Sequence, residues 1–70
     1  MKYCFYKNCE IKHNPQNDEY SAFDEDGESG GIYLGGGIGA EGKAIAQEAI
    51  NKYWEWKNSF VDAVSALHTN

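Results

Sequence analysis

The sequence predicts an α+β domain: about three short antiparallel strands packed on one long C-terminal helix. Three observations predict it. Apolar and polar residues alternate through the first 13 positions, all eight glycines fall between positions 27 and 42, and residues 43–70 contain neither Gly nor Pro. The 70 residues make one domain, 1–70. A chain of that size hides only about 60% of its unfolded surface, so its core is marginal.

Each element has its own justification. In residues 2–13, Tyr3, Phe5, Cys9 and Ile11 occupy odd positions, while Asn8, Glu10 and Lys12 occupy even ones. That period fits a half-buried strand or a tight two-strand hairpin. Asn14-Pro15-Gln16-Asn17 is a turn, since Pro fixes φ and Asn tolerates turn conformations. Residues 19–24 form the next strand, with Tyr20 and Phe23 as its bulk, and residues 24–31 a polar, Gly-rich connection. Ile32-Tyr33-Leu34 is the third strand. Glycine disfavours strand interiors, so residues 35–42 are expected to be loop. In the helix, Ala46, Ala49, Ile50, Tyr53, Trp56, Phe60, Val64 and Leu67 share one side at 100° per residue. Glu48, Asn51, Glu55, Asn58 and Asp62 share the other, and Lys57 intrudes on the apolar stripe. Ser59-Phe60-Val61-Asp62 resembles a capping box, which predicts a bend or break near Asn58. A helix over residues 43–67 would be about 38 Å long. Strands of five or six residues span only about 17–20 Å. Either the helix breaks, or its second half overhangs the sheet and presents Phe60, Val61, Val64 and Leu67 to a second copy of the chain.

Composition excludes several functions. Six Lys and no Arg stand against 11 Asp and Glu, for a net charge of −5. A nucleic-acid binder would carry a basic footprint instead. No apolar run approaches a membrane span, and the first residues lack a secretory pattern, so a cytoplasmic protein without a membrane partner is expected. Two cysteines are too few for a disulfide framework. The potential metal ligands Cys4, Cys9, His13 and His68 have no common zinc spacing, so no metal and no cofactor is expected. Gly37-Ile38-Gly39-Ala40-Glu41-Gly42 matches a dinucleotide fingerprint, but no second parallel strand follows its helix. With no nucleophile motif and only two histidines, the chain is not expected to be an enzyme.

The acidic residues are concentrated. Asp18, Glu19, Asp24, Glu25, Asp26 and Glu28 lie within 11 residues that contain no Lys or Arg. An EF-hand is excluded, because with Gly27 at loop position 6 the terminal positions fall on Ala22 and Tyr33. The segment is either a solvated hairpin tip or an electrostatic lure for a basic surface. In the second case these six residues are the partner-binding set.

Three resemblances follow from this layout. The stretch YSAFDEDGESGGIYLGG followed by AEGKAIAQEAINKYWEW resembles the strand–acidic turn–strand–helix half of HicB-type antitoxins. The three-strand-plus-helix order is similar to the N-terminal domain of phage integrases. Size, charge placement and layout resemble those of phage-encoded inhibitors of bacterial defence, including anti-CRISPR proteins. The last resemblance implies a small acidic inhibitor, in a bacterial host cell, that presents its acidic edge to a basic nucleic-acid-binding surface of a protein target. The first implies a homodimeric antitoxin-like or structural module.

Overall fold

The computed structural model describes the backbone of residues 2–68 and the side chains of residues 3–59. The elements are β1 (Lys2–Tyr6), β2 (Cys9–Asn14), β3 (Glu19–Phe23), a single helical turn α1 (Gly27–Gly30), β4 (Tyr33–Ile38) and α2 (Gly42–His68). The strands form one antiparallel sheet in the order β1-β2-β3-β4, with α2 across one face. This is the expected α+β architecture, with four strands rather than about three.

The extra strand comes from the first segment, which is a hairpin. Lys7 and Asn8 have φ of 50° and 67°, and Tyr6 pairs with Cys9. Two positive-φ residues between paired strands make the two-residue turn whose twist matches a hairpin. The indole N–H of Trp54 holds this turn by donating to the Lys7 carbonyl at 3.0 Å. The next turn lies where the sequence predicts one, and Asn side chains hold it. Asn14 Oδ1 accepts from the Gln16 N–H at 3.0 Å, and Asn17 Oδ1 accepts from the Glu19 N–H at 3.2 Å.

Residues 35–37 are not loop but the middle of β4. Their glycines admit the helix instead of breaking the strand. A Cβ on Gly42 would lie 2.6 Å from the Gly37 carbonyl oxygen, and one on Gly37 would lie 2.7 Å from Ile45 Cδ1. Tertiary contact therefore overrides the poor strand propensity of glycine.

The core is small. Cys9 and Ile11 from β2, Ala22 from β3, and Ala46 and Ile50 from α2 are buried. Tyr6, Tyr20, Leu34, Tyr53 and Trp54 pack around them. Trp56, expected on the packing side of the helix, is 64% exposed, and Trp54 takes that place. Asn51, expected on the solvent side, is half-buried and accepts from Tyr6 Oη at 3.1 Å and Lys7 Nζ at 2.8 Å. The packing stripe is thus rotated toward 50, 53, 54 and 57.

No break occurs at Asn58-Ser59, because α2 is one helix of 27 residues, about 40 Å long. It outruns the sheet. The radius of gyration is 14.2 Å, where a compact 70-residue domain has about 11 Å, and the long axis is 54 Å. Phe60, Val61, Val64 and Leu67, the expected dimer stripe, lie outside the residues whose side chains are described.

Candidate functional site

The six acidic residues do not form one surface. Asp18 and Glu19 lie at one end of β3, and Asp24, Glu25, Asp26 and Glu28 follow its other end. Five residues of strand separate the groups by about 17 Å.

Most of these carboxylates are already engaged. Asp18 Oδ1 lies 2.8 Å from His13 Nε2, and the His13 ring stacks on Tyr20 at 4.3 Å between centroids. Asp24 is 8% exposed, and its Oδ1 accepts from the Asp26 N–H at 3.0 Å. Glu25 accepts from Tyr53 Oη at 2.5 Å and from Lys57 Nζ at 2.7 Å. Those bonds, the lysine's first, hold the Glu25 carboxyl down from 4.5 to about 2. The same contacts raise the pKa of Lys57 and of the Tyr53 phenol. Glu28 accepts from Lys12 Nζ at 2.6 Å and Tyr3 Oη at 3.0 Å, which lowers its carboxyl and raises both donors. Among the described residues, Glu19 and Asp26 carry no ion pair. The segment is therefore a clamp as well as a charge. Glu25 ties it to α2 on one side of the sheet, and Glu28 ties it to β1 and β2 on the other.

The second feature is the sheet face opposite α2. In the β1–β2 hairpin, Tyr3 opposes Lys12 and Phe5 opposes Glu10. Cys9 and Ile11 lie on the helix side, so the alternation of a strand sends Tyr3, Phe5, Glu10 and Lys12 to the open side. Ala22 faces the helix, so its neighbour Phe23 faces out, with Tyr33 against it edge-on at 5.8 Å. Phe5 is 71% exposed, Tyr33 60% and Tyr3 51%. Ile38 is exposed on the same face at the far end of β4. α1 lies over β2, where the Glu28 N–H donates to Glu10 Oε1 at 3.3 Å. The result is a face on which Glu10 and Lys12 of β2, with Glu28 of α1 bonded to Lys12, lie between the rings of Tyr3 and Phe5 on β1 and those of Phe23 and Tyr33 on β3 and β4.

Sequence reasoning missed this face because it placed Tyr3 and Phe5 with Cys9 and Ile11. The two-residue turn changes the parity: paired positions sum to 15, so odd residues of β1 oppose even residues of β2. The Asn at position 8 was the available signal for that turn.

The Gly37–Gly42 stretch is used for packing and for a turn, in which the Gly42 N–H donates to the Gly39 carbonyl at 2.9 Å. Cys9 is buried, which pushes its thiol pKa up and makes it a poor nucleophile. Among the described residues, no three His, Cys, Asp or Glu side chains are grouped to hold a metal ion. None of these residues forms a helix long and apolar enough to cross a membrane. No protein-family model, curated protein or solved structure matches the chain.

Proposed function

We propose that the chain is a protein-binding inhibitor that docks the open face of its sheet, with the acidic turn at its border, onto a basic surface of a nucleic-acid-binding protein. The observation that carries this reading is the exposure of Tyr3, Phe5 and Tyr33 on one face together with Glu10 and Glu28. Exposed aromatic rings on a sheet also suit stacked bases. A base-stacking platform needs cations to follow the phosphates, however, and the lysine on this face, Lys12, is paired with Glu28. Aromatic faces and carboxylates together suit Arg and Lys, through cation–π contacts and charge-assisted hydrogen bonds. Such side chains line nucleic-acid channels, so occupying them displaces the nucleic acid. The class-level resemblance to anti-CRISPR proteins points the same way.

Asp26 and Glu19 supply the acidic contacts most readily, being free of ion pairs among the described residues. Asp18, Glu25 and Glu28 contribute to the field without leaving their partners, and the buried Asp24 acts by shaping the turn.

The test uses an arginine-rich peptide labelled with a fluorophore. Binding is expected to weaken as salt rises. Phe5→Ser and Tyr33→Ser are each expected to weaken it about tenfold or more, as truncated aromatic anchors do. A single-stranded oligonucleotide is expected not to bind. Equal affinity of wild type and both variants would overturn the reading, as would preference for the oligonucleotide.

A further inference from the structure

We propose that the chain forms a two-fold symmetric dimer through the outer edge of β4, joining two sheets into one of eight strands with the two α2 helices side by side above it. This interface is separate from the open face and does not depend on which partner that face takes.

The edge is open to pairing. β4 bonds to β3 on one side and ends the sheet on the other. The Gly39 N–H donates to the Asp18 carbonyl at 2.9 Å, which fixes the phase of the ladder. Bonded and non-bonded pairs alternate along an antiparallel ladder, so Gly37 bonds inward and the N–H and C=O of Gly36 turn outward. Edge strands are commonly guarded by charge, proline or a covering element. Residues 34–38 are Leu-Gly-Gly-Gly-Ile, with none of these guards in the sequence.

The ground beside the edge fits a second copy. An open cleft of about 590 Å³ runs between β4 and α2, with Gly36, Ala44 and Ile45 among its walls. α2 packs on both β3 and β4, so its axis lies near the boundary between them. Strands are about 4.8 Å apart, and β4 paired with its twin would place the two helices about 10 Å apart. That is helix-packing distance, and the small Ala44 and the 45%-exposed Ile45 face the gap.

Charge selects the two-fold arrangement. α2 runs antiparallel to β4, with Ile45 over Gly37 and Ala49 over Gly35. Glu41 therefore marks the Ile38 end of the cleft and Lys52 the Leu34 end. A two-fold axis at Gly36 reverses one copy and sets Lys52 of each beside Glu41 of the other. Glu48 lies near the middle of the cleft and meets its own twin, a like-charge contact that holds the affinity down. With five apolar side chains buried among the described residues, this small domain also has much to gain from further burial.

Sedimentation equilibrium over a concentration series tests the proposal, with circular dichroism to check folding. A dimer is expected for the wild type. Lys52→Glu and Glu41→Lys are each expected to raise the dissociation constant about tenfold, since two pairs per dimer turn from attraction to repulsion. The double variant should return to within about threefold of wild type, because each reversed charge again meets its opposite. Glu48→Gln should tighten the dimer. A monomer up to about 1 mM, where any affinity would be negligible, overturns the proposal. So does a dimer indifferent to both reversals, or a double variant weaker than either single one.

Discussion

Asp24 and Asp26 are two residues apart and differ in everything that decides the effect of a mutation. Asp24 is buried and satisfies the Asp26 N–H, so Asp24→Ala leaves a donor unpaired. The expected loss is about 1–2 kcal/mol of stability, measured by urea denaturation. Asp26 is exposed, and Asp26→Lys should stay within about 0.5 kcal/mol of wild type. If both variants unfold alike, the turn is not organised as described. An acidic run in a sequence gives charge density but not burial, which is why the six residues read as one set, whether a solvated tip or a lure for a basic surface. Gly36 shows the same limit. A Cβ there would stand 1.9 Å from the Tyr20 carbonyl oxygen, so Gly36→Ala is expected to cost more than about 2 kcal/mol. Nothing in a run of three glycines distinguishes a loop from a strand pressed against its neighbour. The distinction lies in the tertiary approach.

At the scale of elements, the link between the acidic turn and α2 carries a pH signature. Glu25 is held at about 2 by Lys57 and Tyr53. A carboxyl lowered in the folded state binds its proton more readily in the unfolded chain. Its contribution is therefore complete above about pH 4.5 and is lost as the pH falls toward 2. Glu25→Gln should lower the melting temperature at neutral pH and flatten the decline of stability between those values. An unchanged acid profile would remove the clamp from the account. The helix itself was legible in the sequence from its composition and its Gly-bounded start. The exact stripe was not, because Trp54 and Trp56 are the same residue type two positions apart and the docking angle decides which of them is buried. Lys57 was visible as an intruder on the apolar side, and its ion pair with Glu25 accounts for its place there. The turns at Lys7-Asn8 and Asn14–Asn17 rest on local chemistry, and of these only the second was fully legible. The first needed the pairing of both strands before its parity could be assigned.

As a whole molecule the protein is a thin sheet with a helix on one side and an exposed aromatic face on the other. Ile50 is fully buried, so Ile50→Ala should cost about 2–4 kcal/mol, a large share of what a small domain has. Phe5 and Tyr33 contribute little to that core, and their serine variants should melt near wild type. Two exposed aromatic rings on opposite edge strands that stability does not require, on a face that also carries Glu10 and Glu28, are the basis for assigning function to the open face. The most direct test is a two-dimensional amide NMR titration of the protein with the arginine-rich peptide. Shifts are expected to concentrate at Tyr3, Phe5, Tyr33 and residues 24–28, with the helix-side residues Ala46 and Ile50 unmoved. Shifts confined to α2, or none at saturating peptide, would contradict docking through the open face.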